Sequence, residues 1–277
     1  MTRVAMGEPP KPPAQPVPLP ADEVHLWYLF TDEVTEGSLL AAYATWLTDE
    51  ERARHDRYLF EHSRHEYLLT RALVRSTLSR YAPVAPAAWR FRANDYGRPE
   101  IDDPRYRHLR FNLSNTRGLV ACVVAVEREV GVDVEDTTRT GETVSIADGF
   151  FSRAEVEALR ACPPEGRRSR FFDYWTLKEA YIKARGMGLS LPLDQFSFLL
   201  DPGAPIRIAF GPQITDDPAT WQFAQLVLPP RPPGSPPGGS RHRTAVAVRR
   251  SPGEEVSFKL WPTVPLRDEP QRGTSPP

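Results

Sequence analysis

The 277-residue chain has few lysines, few cysteines and no long apolar run. Four of its 35 basic residues are lysines, Lys11, Lys178, Lys183 and Lys259, and the other 31 are arginines. Two cysteines are too few for a disulfide framework, which favours free thiols in a reducing compartment. No run approaches the roughly 20 apolar residues of a bilayer span, and a net charge of −1 gives no field for nucleic acid or a membrane surface. We therefore expect a cytoplasmic protein that binds neither.

Proline marks both ends of the chain and one internal loop. Residues 1–20 are Pro-rich and lack the apolar segment of a secretory signal, so they are predicted to be a disordered lead. The Pro/Gly-rich stretch 229–241 predicts a disordered loop, and 265–277 predicts a disordered tail. The remainder is predicted to form an N-terminal α+β half, 21–126, and a C-terminal α+β half, 127–264.

A pair of helices recurs along the chain. Thr48 and Ser152, 104 residues apart, each begin a capping box with Glu three residues later. Each box opens a short helix, and a longer one follows over about 63–81 and 168–185. Apolar segments predict strands over 24–30, 89–93, 119–126, 130–135, 194–200, 205–210, 221–228, 244–250 and 256–261. This order predicts an internally duplicated α+β fold with the active site between the halves.

Three carboxylates and a lysine form the candidate site. Asp133 and Glu135 share one face of the predicted strand 130–135, where two like charges need solvent or a cation between them. Glu179 and Lys183 lie one helical turn apart on the following long helix. Carboxylate oxygens beside an ammonium suit a Mg²⁺ ion shared with substrate phosphates. A solvated strand face and a surface ion pair are the alternatives.

This constellation indicates phosphoryl transfer or pyrophosphate binding. The competing signatures are absent from the sequence: it has no GxxxxGK[ST] loop, no GxSxG elbow and no GxGxxG after a strand.

Two blocks carry a resemblance to a known family. GVDVED at 131–136 and WTLKEAYIKARGMGLSLPL at 175–193 are similar to the signature blocks of 4′-phosphopantetheinyl transferases of the Sfp type. Weaker matches lie at 47–60, 72–81, 96–99 and 111–116, and the resemblance covers about residues 24–261. It implies two similar α+β halves related by a pseudo-twofold axis within one chain. A monomer is expected because the chain carries both halves.

The resemblance also implies a reaction. The 4′-phosphopantetheine arm of coenzyme A would pass to a serine hydroxyl of an acyl or peptidyl carrier protein, with release of 3′,5′-ADP. Asp133, Glu135 and Glu179 would hold Mg²⁺ on the pyrophosphate of coenzyme A. Glu179, or a water that it orients, would be the base, and Lys183 would stabilise the leaving group. A non-catalytic module that binds coenzyme A or a carrier domain, and a Mg²⁺-dependent pyrophosphatase, are the alternatives.

Further contacts to coenzyme A are implied at basic and polar positions that match the family: Arg54, Arg57, Arg98, Ser114, Asn115 and Lys178. Lys178 lies off the face shared by Glu179 and Lys183, so a solvated lysine is an equal alternative. Arg54 and Arg57 lie on a helix rich in charge, so a solvated helix face is an equal alternative for each. Asn115 stands where many members have His, which predicts a weaker phosphate contact. Trp175, one turn before Glu179, is expected to anchor the helix in the core.

Overall fold

The computed structural model describes residues 4–6, 16–140, 143–228 and 241–267. The disorder predicted over 1–20, 229–241 and 265–277 falls largely outside these residues. Within the first of those stretches, Val4–Met6 forms a short strand.

The described residues form six α-helices and twelve strands. The helices are α1 Gly37–Ala44, α2 Asp49–Asp56, α3 Glu61–Ser79, α4 Thr143–Phe150, α5 Arg153–Ala161 and α6 Pro164–Arg185. The strands are β1 Val4–Met6, β2 Glu23–Phe30, β3 Phe91–Ala93, β4 Pro99–Ile101, β5 Leu109–Thr116, β6 Leu119–Val126, β7 Val130–Asp136, β8 Phe196–Leu199, β9 Arg207–Phe210, β10 Trp221–Leu226, β11 His242–Arg249 and β12 Ser257–Pro262. These elements confirm a mixed α+β fold. None of the described helices is both long and apolar enough to cross a bilayer.

The two capping boxes are confirmed. The Thr48 side chain accepts a hydrogen bond from the backbone N–H of the N3 glutamate, whose carboxylate accepts one from the Thr48 N–H. Ser152 makes the same pair of bonds at the start of α5. A side-chain cap of this kind contributes about 1 kcal/mol to helix stability. Both boxes act locally, which is why the sequence alone reveals them.

Other helix boundaries differ from the prediction. α6 begins at Pro164 instead of about residue 168. Proline has no N–H and a fixed φ, and both suit the first turn of a helix, where N–H groups have no helical partner. α1 and α4 were not predicted. Both are eight residues long, which is too short for a clear helical period.

The strands form two main sheets. The larger has the order β1-β12-β2-β6-β5, with β12 parallel to β1 and β2 and the other pairs antiparallel. The smaller is antiparallel, with the order β10-β11-β7. β12 follows the C-terminal strands in sequence yet pairs with β2 of the N-terminal sheet. The boundaries of the two halves and their pseudo-twofold relation stay predictions.

Each main sheet has helices on its outer face, and the two inner faces pack together. Trp27 and Leu73 belong to the core between α3 and the larger sheet. Tyr181 and Ala247 belong to the core between α6 and the smaller sheet. Val246 lies in a third core, built from the inner faces of both sheets. β6 is buried on both faces, which explains its unbroken apolar sequence.

Candidate active site

α6 packs against the face of β7 that carries Gly131, Asp133 and Glu135. A Cβ atom at Gly131 would lie 2.1 Å from the carbonyl oxygen of Ala180, so a glycine is needed for this approach. Side chains alternate along a strand, so Asp133 and Glu135 follow Gly131 on the same face. The sequence predicts solvent or a cation at the strand face of Asp133 and Glu135. In the structure, α6 covers this face.

The Asp133 carboxylate meets Lys183 beneath α6. Lys183 Nζ lies 2.7 Å from Asp133 Oδ1. Ser114 Oγ donates to the same oxygen at 3.0 Å and accepts from Lys183 Nζ at 2.9 Å. Asp133 Oδ2 is buried and has no hydrogen-bond partner within the described part of the chain. Burial raises the pKa of Asp133, and the Lys183 ammonium opposes that rise.

Glu135 lies farther along β7 and is held from two sides. Trp175 Nε1 donates to Glu135 Oε1 at 3.0 Å, and an Arg139 guanidinium nitrogen lies 3.1 Å from Oε2. Burial, together with the neighbouring Asp133 carboxylate, raises the pKa of Glu135 to about 7. Trp175 also stacks on Phe171 with ring centroids 5.8 Å apart. It anchors α6 in the core, as predicted, and in addition orients Glu135.

Glu179 faces a cleft of about 280 Å³ that Lys183 and Arg98 also line. Among the described residues its carboxylate has no hydrogen-bond or ion-pair partner. Burial raises the pKa of Glu179, and the Asp133 carboxylate adds to that rise. In the part of the chain that the structure describes, no three His, Cys, Asp or Glu side chains are grouped as a metal site. The predicted Mg²⁺ ligand set therefore stays a prediction.

Arg98 also lines the cleft, and its turn is bound to the end of α6. Its guanidinium donates to the carbonyl oxygen of Ala184 and to Glu100 Oε1, both at 2.8 Å. Asn94 Nδ2 donates to the carbonyl oxygen of Gly186 at 2.9 Å. These bonds place Arg98 on the same cleft as the carboxylate and ammonium of α6. The arrangement combines acidic oxygens, an ammonium and a guanidinium around one opening, which suits a phosphate ester and a cation.

Similarity to known proteins shows the family of this chain. The model of the ACPS 4′-phosphopantetheinyl transferase superfamily matches residues 129–247, which include β7 and α6. The 4′-phosphopantetheinyl transferase HetI of Nostoc sp. is 36% identical over 220 residues, covering 79% of this chain and 87% of that protein. The chain belongs to the 4′-phosphopantetheinyl transferase superfamily. The resemblance drawn from the two signature blocks is thereby confirmed.

A further curated protein and a solved structure are also similar to this chain. The 4′-phosphopantetheinyl transferase Sfp of Bacillus subtilis is 33% identical over 166 residues, covering 60% of this chain and 72% of that protein. The holo-[acyl-carrier-protein] synthase of Thermotoga maritima superposes with a TM-score of 0.33 at 20% identity, over 44% of this chain and 63% of that chain.

Lys178 does not reach the cleft of the transferase. Its side chain is 1% exposed and pairs with Glu155 Oε2 at 2.8 Å. The ammonium also donates to the carbonyl oxygens of Leu193 and Phe196, both at 2.7 Å. An ammonium has three donors, and the protein core uses all of them. The predicted coenzyme A contact of Lys178 is wrong, and so is its alternative as a solvated lysine.

The structure neither confirms nor contradicts four other predicted contacts with coenzyme A. Arg54 and Arg57 are exposed at the C-terminal end of α2 and are not among the described residues that line the cleft. Arg54 lies over the ring of Tyr67, 5.6 Å from its centroid. Ser114 contacts Asp133 and Lys183, whereas Asn115, the next residue of β5, is exposed. The contacts of these four residues with coenzyme A stay predictions.

Sequence reasoning missed several side chains that hold the site together. Asn94, in the NDYGRP turn, had a local signal, because Asn often bonds to its own turn. Its Oδ1 accepts from the backbone N–H groups of Tyr96 and Arg98. The bond from its Nδ2 to Gly186 joins residues 92 positions apart and had no signal in the sequence. Arg139, which contacts Glu135 from four residues along the chain, was also missed.

Proposed function

We propose that this chain transfers the 4′-phosphopantetheine arm of coenzyme A to a serine hydroxyl of an acyl or peptidyl carrier protein, in a Mg²⁺-dependent reaction that releases 3′,5′-ADP. The observation that carries the proposal is the cleft shared by Glu179, Lys183 and Arg98. It adjoins the ion pair between the buried Asp133 and the partly exposed Lys183, in a member of the transferase superfamily. Coenzyme A and a carrier protein are therefore the proposed partners.

The donor chemistry of the site suits a magnesium ion, although its three carboxylates are not grouped around one point in the described residues. Asp133 Oδ2 is a buried oxygen without a hydrogen-bond partner in the described part of the chain, and a cation would satisfy it. Glu179 and Glu135 supply further carboxylate oxygens, the ligand type that Mg²⁺ prefers. All three carboxylates have raised pKa values, with burial as the largest cause, so the site favours an added positive charge. When bound, Mg²⁺ would polarise the pyrophosphate and offset the charge of the leaving group.

Glu179 is the proposed base. Its carboxylate faces the cleft and is free to take the proton of the incoming serine directly or through a water. The serine oxygen then forms a bond to the phosphorus that carries the pantetheine arm. The bond from that phosphorus to the bridging oxygen breaks, and 3′,5′-ADP departs.

Lys183 and Arg98 are the proposed phosphate contacts. Lys183 uses two of its three donors on Asp133 and Ser114, which leaves one for a phosphate oxygen. Arg98 bonds to Ala184 and Glu100 and has five N–H donors in all, so donors remain for the nucleotide end of coenzyme A. Charge from both groups would offset the negative charge that develops on the leaving oxygen.

The deciding experiment is mass spectrometry of several apo-carrier proteins incubated with the chain, coenzyme A and Mg²⁺. A carrier should gain the mass of one phosphopantetheine arm, and the gain should disappear when Mg²⁺ is chelated. Glu179→Gln should lose the transfer and keep the melting temperature of the unchanged chain. No mass gain on any carrier would overturn the proposal.

Two outcomes of the same assay would identify the alternatives. Binding of coenzyme A or carrier without turnover would indicate a non-catalytic module. Consumption of coenzyme A in the absence of any carrier would indicate a pyrophosphatase. The monomeric state and cytoplasmic location are proposed on the sequence alone.

A further inference from the structure

The edges of the two main sheets meet along an unusual seam between β5 and β7. Three alternate side chains of β5 accept hydrogen bonds from three alternate backbone N–H groups of β7. Asn112 Oδ1 accepts from Val132 at 3.0 Å, Ser114 Oγ from Val134 at 3.2 Å, and Thr116 Oγ1 from Asp136 at 3.1 Å. These side chains satisfy N–H groups that a neighbouring strand would otherwise pair. The seam therefore fixes the position of β7 relative to the larger sheet.

Ser114, the middle member of the seam, also bonds to the site. Its hydroxyl donates to Asp133 Oδ1 at 3.0 Å and accepts from Lys183 Nζ at 2.9 Å. A serine hydroxyl has one donor and two acceptor lone pairs. The bonds to Asp133, Lys183 and Val134 use all three. Ser114 is thus saturated by protein groups.

These bonds determine how Asp133 presents its two oxygens. Ser114 and Lys183 both donate to Oδ1. The other oxygen, Oδ2, is left buried without a hydrogen-bond partner among the residues described. A carboxylate held at one oxygen cannot rotate freely, so the second oxygen points in a fixed direction. Side chains that orient a metal ligand in this way contribute to metal affinity without touching the metal.

We propose that Ser114 is a positioning residue: it couples the seam between the sheets to Asp133 and fixes that carboxylate for a divalent cation. This inference rests on the proposed function, because it assigns Ser114 a role at the same site. It replaces the direct phosphate contact that the family resemblance implies for Ser114. Thr116 provides a matched control, because its hydroxyl makes the same bond to a β7 N–H group.

The test compares Ser114→Ala with Thr116→Val in the full chain, without coenzyme A or carrier. Binding of Mn²⁺, as a probe for Mg²⁺, is measured by the loss of the free-ion electron paramagnetic resonance signal. Ser114→Ala should weaken Mn²⁺ binding about 10–100-fold, as loss of an outer-shell partner does. Thr116→Val loses an equivalent seam bond and should bind Mn²⁺ within about twofold of the unchanged chain. Melting temperatures should fall by similar amounts in both variants.

A purely structural role for Ser114 predicts a different result. The two variants would then change in parallel in both Mn²⁺ affinity and melting temperature, which would overturn the proposal. Absence of Mn²⁺ binding by the unchanged chain would overturn it as well. Ser114→Cys is nearly isosteric with a weak thiol donor, so it tests the same point if the alanine variant does not fold. Its affinity should also fall, and unchanged affinity would contradict the inference.

Failure of the proposed function gives a separate signature. In that case the carriers gain no mass, while the difference in Mn²⁺ affinity between the Ser114 and Thr116 variants persists. Once transfer is established, Ser114→Ala should lower kcat and raise the Mg²⁺ concentration needed for half-maximal rate. A direct phosphate contact would instead raise the KM for coenzyme A and leave Mn²⁺ affinity unchanged.

Discussion

Replacing Lys178 with methionine should destabilise the fold and leave intact the cleft lined by Glu179, Lys183 and Arg98. The ammonium lies 2.8 Å from Glu155 Oε2 and 2.7 Å from each of two backbone carbonyl oxygens, and both charged side chains are 1% exposed. It also lies 4.1 Å from the ring centroid of Phe196. Removing one partner leaves a buried carboxylate without its counter-charge, and such losses cost about 3–5 kcal/mol.

Two further bonds of Glu155 place the expected cost at the lower end of that range. Its carboxylate also accepts from the backbone N–H groups of Ser152 at 3.0 Å and Phe198 at 2.9 Å. These donors stay in place when Lys178 is removed, so the charge keeps part of its stabilisation. We expect a loss of about 3 kcal/mol, a large share of the 5–15 kcal/mol typical of a folded protein.

Urea unfolding followed by far-UV circular dichroism measures this loss. Lys259→Met is the matched control, because Lys259 is 36% exposed and pairs with Glu23 at 2.7 Å. A pair of that exposure should contribute about 1 kcal/mol or less. The double variant Glu155→Gln with Lys178→Met should lose less than the sum of the single losses, because it leaves no uncompensated buried charge.

One result would refute the reasoning. If Lys178→Met kept its free energy of unfolding within about 1 kcal/mol of the unchanged chain while its affinity for coenzyme A collapsed, Lys178 would be a ligand after all. The buried ion pair would then not be a main support of α6. Calorimetric titration of coenzyme A into each folded variant supplies the second half of this comparison.

Three other predictions follow from the structure. Gly131→Ala places a methyl group 2.1 Å from Ala180 O. Overpacking of this kind costs about 1–3 kcal/mol, so the urea midpoint of unfolding should fall. Transfer activity should fall as well, because α6 must move away from β7. Arg98→Ala should raise the KM for coenzyme A about tenfold or more. Arg92, whose side chain is 50% exposed, is the control: Arg92→Ala should change KM little, and equal effects would contradict the role of Arg98. Burial lowers the pKa of His25; its protonation is therefore harder in the folded state than in the unfolded state, where the pKa is about 6.5. The contribution of neutral His25 to the free energy of unfolding should be complete above pH 6.5 and should decline as the pH falls toward the folded-state pKa. An NMR titration in which His25 of the folded protein protonates at or above pH 6.5 would contradict this prediction.

Local sequence signals were sufficient for much of the fold. The capping boxes at Thr48 and Ser152 depend on side chains within four residues of one another, so they appear in the sequence as they do in the structure. The strand alternation of GVDVED placed Asp133 and Glu135 on one face, as observed. Proline was harder to interpret, because this residue type occurs both just after the end of a helix and in the first turn of one. α6 begins at Pro164, about four residues before its predicted start.

Contacts between distant parts of the chain were beyond local signals. The bond between Asn94 and Gly186 joins two loops that sequence spacing does not relate. The seam of Asn112, Ser114 and Thr116 required the knowledge that β5 and β7 lie at adjoining sheet edges. Polar residues alternate along β5, but alternation alone cannot say which partner they meet.

The two lysines of α6 show the division most clearly. The sequence by itself determined that a chain rich in arginine uses lysine twice within one helix, and that Lys183 lies one turn from Glu179. Tertiary packing decided their roles. Residues five apart lie on different faces of a helix, and contact with β7 at Gly131 turns Lys183 toward Asp133. The same contact turns Lys178 into the core beside Glu155, where its charge stabilises the fold.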